Sequence, residues 1–127
     1  MKYLADTDVL INHIRGREYL DTQIIADGLG MSIISLAELL HGVYRSNNPR
    51  KAQEKIDALF TLGVKVENLN NQIVDEYAQL KVNLEKAGEK LDEFDLLIGV
   101  TALVNNLILI TRDTKYFRRI KGLKLND

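Results

Sequence analysis

Glu93-Phe94-Asp95-Leu96-Leu97-Ile98-Gly99-Val100-Thr101-Ala102-Leu103-Val104 is almost wholly apolar, and Leu107-Ile108-Leu109-Ile110 follows it closely. Its length and composition predict a helix buried on most faces, leading into a buried strand. Asp92 is placed to cap that helix, which puts Asp95 at its third position, N3. A carboxylate there favours the positive end of the helix dipole and can reach back to a backbone N–H. One acid at a helix start is ordinary. Its meaning depends on what else meets it.

The rest of the chain repeats the alternation of strand and helix. Lys2 to Ala5 reads as a first strand, broken by Asp6-Thr7-Asp8. Val9, Leu10, Ile11 and Ile14 begin a helix that Gly16 ends. Tyr19 to Ala26 reads as a second helix, with a turn at Asp27-Gly28 and Gly30. Met31 to Ile34 is a β-branched second strand, and Ser35 caps a helix carrying Leu36, Leu39, Leu40, Val43 and Tyr44. Pro49 suits the first turn of a helix through Ala52, Ile56, Leu59 and Phe60. Gly63 ends that helix before a third strand at Val64 to Val66. Asn70 or Asn71 caps a long helix striped by Ile73, Tyr77, Leu80 and Leu84, ending near Gly88. After the buried helix and the strand at Leu107 to Ile110 come a short helix, Thr114 to Arg119, and an edge strand, Leu123 to Leu125. This order predicts an α/β fold: a three-layer α/β/α sandwich around a central, mostly parallel sheet. No repeat or linker interrupts it, so residues 1–127 are expected to form a single domain.

Composition limits the chemistry. With 46% apolar and 28% charged residues, the chain fits a globular class rather than a disordered one. It has no cysteine, which excludes disulfides, thiolate nucleophiles and Cys-based zinc sites. The N-terminus turns acidic too early for a signal peptide, and the stretch from Leu96 to Ile110 is short for a membrane span and contains Asn105 and Asn106. A cytoplasmic protein without a membrane segment is expected. Seventeen basic residues against 18 acidic give a net charge of −1, yet the distribution is uneven. Arg112, Lys115, Arg118, Arg119, Lys121 and Lys124 crowd the last segment, and Arg45, Arg50, Lys51 and Lys55 another, while residues 85–95 lean acidic. An acidic spot flanked by basic segments suits a metal-dependent enzyme acting on a polyanion.

Four carboxylates are expected to converge. Ligands of open parallel sheets bind beyond the carboxyl ends of the strands, near the point where strand order reverses. Asp6 follows the first strand, Asp113 the fourth, and Glu38 lies in the first turn of the helix after the second. Asp95 reaches the same edge if the chain crosses back over the sheet. Each acid also has an ordinary local role: Asp6 and Asp113 as caps, Ser35-x-x-Glu38 as a capping box. Glu38 and Asp95, however, sit among apolar neighbours. Gathered acids repel and raise one another's pKa unless a cation neutralises them, and hard divalent ions with oxygen ligands do so. Such ions assist phosphodiester hydrolysis without a side-chain nucleophile. His13 and His41 lack the partners of a catalytic triad.

These residues resemble a known family. Asp6-Thr7-Asp8-Val9-Leu10-Ile11, Ser32-Ile33-Ile34-Ser35-Leu36-Ala37-Glu38-Leu39-x-x-Gly42, Gly88-x-x-Leu91-x-x-x-Asp95-x-Leu97-Ile98, and Ile110-Thr111-Arg112-Asp113 with Phe117 are similar to the motifs of PIN-domain ribonucleases, in particular the small VapC-type toxins of prokaryotic toxin–antitoxin pairs. The resemblance runs from about residue 3 to residue 125. It implies an endoribonuclease dependent on Mg²⁺ or Mn²⁺, with Asp6, Glu38, Asp95 and Asp113 as catalytic, metal-holding acids. The target class is tRNA, rRNA or mRNA. Thr7 and Thr111 assist through their hydroxyls, and Arg112 and Lys115 are candidates for substrate phosphates. A homodimer and a cognate VapB-like antitoxin that blocks the site are implied as well. Two positions depart from the pattern. Asn is common in the family where this chain has Asp8, and Asp is common where it has Tyr116. The fourth acid is therefore Asp113, with Asp92 and Asp8 in reserve.

Other readings stay open at this level. Nothing in the residues reads a 2′-OH, so a DNA-directed nuclease fits the same acids. A catalytically inactive PIN-like module that binds RNA or protein is a further alternative. A phosphate-accepting receiver domain fits poorly, because Val66-Glu67-Asn68 lacks the Asp expected after a third strand. Leu10, Ile14, Tyr19, Leu40 and Tyr44 are candidates for a groove that receives the antitoxin, from which an Arg or Lys would enter the acidic site.

Overall fold

Just ahead of the fourth strand, the apolar helix does what its composition demands: Leu96, Ile98, Gly99, Val100, Thr101 and Ala102 are all buried. The computed structural model describes residues 1–126. Among them the chain runs β1 (Tyr3–Ala5), α1 (Thr7–Ile14), α2 (Thr22–Gly28), β2 (Leu29–Ser32), α3 (Ile33–Arg45) and α4 (Pro49–Thr61). It continues through β3 (Lys65–Glu67), α5 (Asn71–Lys86), α6 (Glu93–Val104), β4 (Ile108–Ile110), α7 (Thr114–Phe117) and β5 (Lys124–Leu125).

The strands form one sheet in the order β3-β2-β1-β4-β5, and every pairing is parallel. Parallel neighbours need crossover connections, and helical crossovers cover both faces. The pleat divides the core accordingly. Leu4 of β1 and Leu109 of β4 join Ile73, Leu96, Ile98 and Phe117 on one face. The next residues along, Ala5 and Ile110, join Leu10, Met31, Leu39 and Ile56 on the other. The result is the three-layer α/β/α sandwich expected from the strand–helix order.

Several boundaries differ from the sequence reading. Strand β2 starts at Leu29 because Gly28 (φ +107) alone makes the turn, while Gly30 lies inside the strand. Ser32 therefore ends the strand and caps α3, its hydroxyl accepting the Ile34 N–H at 3.0 Å. Ser35 is no cap, and Glu38 falls in the second turn of α3, so the expected capping box does not exist. Helix α2 begins at Thr22 with Asp21 as its cap, which leaves Tyr19 in a loop. By contrast Asp92 caps α6 as expected, accepting the N–H groups of Phe94 and Asp95 at 3.0 and 3.3 Å.

Candidate active site

Strands β1 and β4 are neighbours, yet β2 and β3 lie beyond one and β5 beyond the other. Strand order reverses between them, which opens a crevice past their carboxyl ends. Asp6 and Thr111 are the first residues beyond these two strands. The Asp6 N–H donates to the Ile110 carbonyl at 2.9 Å, so the strand ends stay pinned together. The Asp6 carboxylate is nearly buried, and both of its oxygens are held. Oδ1 accepts the Thr7 N–H at 2.8 Å, and Oδ2 accepts the Thr111 hydroxyl at 3.0 Å. Thr111 Oγ1 in turn accepts the Asp113 N–H at 3.0 Å, and the Thr111 N–H reaches Asn126 Oδ1 at 3.1 Å.

A second chain of hydroxyls holds Glu38. Thr7 Oγ1 donates to Glu38 Oε1 at 2.8 Å and lies 2.8 Å from Ser35 Oγ. A hydroxyl has one proton. With that of Thr7 given to Glu38, Ser35 is the donor to Thr7. Ser35 and Glu38 stand three residues apart on α3, hence on one face of it. Ser35 is fully buried.

Asp95 is different. It is half-buried at N3 of α6, and its carboxylate meets no hydrogen-bond donor among the described residues. Desolvation pushes its pKa up to about 7, with further contributions from the negative charge of Asp6, Asp92, Glu38 and Asp8. Burial also raises the pKa of Asp6, against the two hydrogen bonds it accepts, and Asp8 and Glu38 add to the rise. Asp6, Glu38, Asp95 and Asp8 thus share one field of negative charge.

Asp113 does not join them. It is exposed, stands at the cap position of α7 without a side-chain capping bond, and is not among the charges that raise Asp6 or Asp95. Asp8, the reserve acid, is. Among the described residues no three Asp, Glu or His side chains close on a point that would hold an ion by protein ligands alone. The donor set still fits a hard divalent cation of the kind that keeps most of its water. Such ions take one or two carboxylates, and the site offers oxygen ligands whose charge is uncompensated. Asp6 and Asp95, with Glu38 beside them, are the residues that would hold it.

Residues 3–123 match the family model described as PIN domain. The chain belongs to the PIN-domain family. Ribonuclease VapC1 of Haemophilus influenzae is 33% identical to it over all of this chain and 98% of that protein. Two solved structures share the fold: VapBC2 from Rickettsia felis bound to a promoter DNA fragment, and VapBC-1 from nontypeable Haemophilus influenzae. The first has a TM-score of 0.90 and 28% identity, covering 99% of this chain and 98% of that one. The second has a TM-score of 0.86 and 33% identity, covering 100% and 98%.

In this PIN domain a groove of about 420 Å³ runs between α1, α3 and α4, from Glu38 past Leu39 and Val43 to Arg45, Lys51 and Lys55. Of the five residues named for a partner groove, Ile14 alone lines this one. Leu10 is fully buried in the core, because α1 turns that side chain toward the sheet. Leu40 packs partly against the same core, while Tyr19 and Tyr44 are 73% and 81% exposed outside the groove. Arg112 and Lys115 are exposed beside α7, and Arg112 stands 4.0 Å from Glu18. His13 accepts the Leu20 N–H through Nδ1 at 3.0 Å and so fastens the loop after α1. Two residues of the site escaped the sequence reading in their roles. Ser35 was expected as a cap, and Tyr116 figured only as a missing acid. Tyr116 Oη accepts the Asp92 N–H at 2.7 Å, and no local sequence signal announces that contact.

Proposed function

We propose that this PIN domain is a metal-dependent endoribonuclease, the toxin of a VapBC-type toxin–antitoxin pair, hydrolysing RNA phosphodiesters with Mg²⁺ or Mn²⁺. The observation that carries the proposal is the Asp95 carboxyl, without a hydrogen-bond donor among the described residues and pushed up to about 7 beside four other acids at the switch point of the sheet. Such a group favours a cation, and family membership supplies the class of reaction. Asp6 and Asp95, with Glu38, hold the ion, and Asp8 adds negative charge. When bound, a divalent ion lowers the pKa of a water and offsets charge that develops on phosphate. The chain does the rest by positioning. Thr111 and the Thr7 N–H fix the rotamer of Asp6, and the Ser35–Thr7 relay fixes Glu38. Arg112 and Lys115, together with the basic wall of the groove, receive the RNA backbone. A homodimer is the working form, and a VapB-like antitoxin silences it by placing an Arg or Lys among the acids.

The test is cleavage of total RNA by purified protein with Mg²⁺ or Mn²⁺, beside Asp95→Asn and an EDTA control. Discrete cuts that need metal and vanish in the variant establish the nuclease, and sequencing their ends names the target. The looseness of the acid cluster favours one second reading, an inactive module that binds RNA. No cutting by the folded protein, with RNA bound equally with and without chelator, would select that reading. Equal cutting by Asp95→Asn would overturn the role of Asp95.

A further inference from the structure

The start of α6 is half of a capping box. In the full motif the cap side chain accepts the N3 backbone N–H, and the N3 side chain reaches back to the N–H of the cap residue. The first half is present: Asp92 Oδ1 accepts the Asp95 N–H at 3.3 Å. The second half is absent. The Asp92 N–H donates instead to Tyr116 Oη at 2.7 Å, a contact that spans 24 residues of sequence and ties α7 to α6. The residue that would complete the box is Asp95, and its carboxylate is left without a donor among the described residues.

We propose that Tyr116 is a positioning residue: its hydroxyl oxygen occupies the Asp92 N–H and so denies it to the Asp95 carboxylate, which stays turned toward the other acids and available to a divalent cation. The proposal rests on the reading of Asp95 as a cation-binding group. Its surroundings hold the tyrosine in place. The ring packs edge-on against Phe117 with centroids 5.7 Å apart, and the Arg119 guanidinium lies 5.2 Å from the ring centroid. Phe117 is buried against α6, where Gly99 makes room for it and for Ile120. The hydroxyl is thus delivered by a fixed ring, and removing it alone leaves the packing intact.

The experiment compares Tyr116→Phe with the wild-type protein by Mn²⁺ titration calorimetry and by metal-dependent cleavage. In Tyr116→Phe the Asp95 carboxylate can close the capping box, and the cation must compete with one hydrogen bond. The expected result is Mn²⁺ affinity weaker by about three- to tenfold, with the metal concentration for half-maximal cleavage raised in parallel. Cleavage at saturating metal stays within about twofold, which a merely distorted site would not preserve. Amide exchange at Asp92 is a second readout independent of activity. Either acceptor suffices to protect this N–H, so protection persists in Tyr116→Phe and in Asp95→Ala and is lost only in the double variant. Unchanged Mn²⁺ affinity in Tyr116→Phe, or loss of Asp92 protection in that variant alone, would overturn the proposal. Wild-type Mn²⁺ affinity in Asp95→Asn would instead remove the reading of Asp95 on which it depends.

Discussion

Thr7 carries more of the site than its size suggests. One hydroxyl accepts from buried Ser35 and donates to Glu38, while the backbone N–H of the same residue holds Asp6. Thr7→Val keeps the shape and removes the relay, stranding Ser35 Oγ in the interior. We expect a loss of about 1–3 kcal/mol in urea unfolding, the cost of a buried polar group without a partner, and recovery of most of it in Thr7→Ser. Asp95 makes the opposite contribution. Its folded pKa of about 7 lies above the ordinary carboxyl value of 3.8, so between those limits the folded state binds more protons than the unfolded state. Stability therefore falls as pH rises through that window, and Asp6 pulls in the same direction. In EDTA the urea midpoint should be higher at pH 5 than at pH 8, and Asp95→Asn should reduce the difference. Added Mg²⁺ should raise the midpoint at pH 8. A pH dependence that Asp95→Asn leaves untouched would contradict the assignment.

At the scale of elements, the contact of α6 with the turn after α7 sets where the site's loops stand. A Cβ on Gly99 would lie 2.5 Å from Ile120 Cδ1 and 3.5 Å from the Phe117 ring. Ile120 and Phe117 are both buried, so neither can swing out to solvent. Gly99→Val should destabilise the protein by about 1–3 kcal/mol, despite the poor helix propensity of glycine, because overpacking outweighs propensity here. Thermal or urea unfolding measures it. Most elements were legible in the sequence because periodicity and caps are local: Asp92 and Asn70 cap α6 and α5 as read, and Pro49 opens α4. The start of α3 was not. Two serines, Ser32 and Ser35, each suit an N-cap, and the choice is made by where pairing with β1 and β3 ends strand β2.

Across the whole molecule, a net charge of −1 conceals a separation. The acids gather at the switch point, while Arg15, Arg45, Lys51 and Lys55 line the groove that ends at Glu38. A polyanion would follow that groove with little help from overall charge. Cleavage at low RNA concentration should therefore slow by about tenfold from about 50 to about 200 mM salt, as a few phosphate contacts are screened. Replacing both Lys51 and Lys55 by Ala should flatten that dependence. The double variant leaves the acids in place, so its rate with a dinucleotide substrate should be unchanged.

The amino-acid order by itself determined the layers of this protein, and it marked Asp6, Glu38 and Asp95 as candidate acids. Burial and periodicity are written residue by residue, and an acid amid apolar neighbours is visible without coordinates. Only the tertiary structure decided which acids face one another. It sets the charge of Asp8 near Asp95, leaves Asp113 exposed at the cap of α7, and gives the Asp92 N–H to Tyr116 rather than to Asp95. The reason is physical. These relations are distances between elements far apart in sequence, set by sheet order and by the packing of α7 on α6, and neither is encoded in any local stretch.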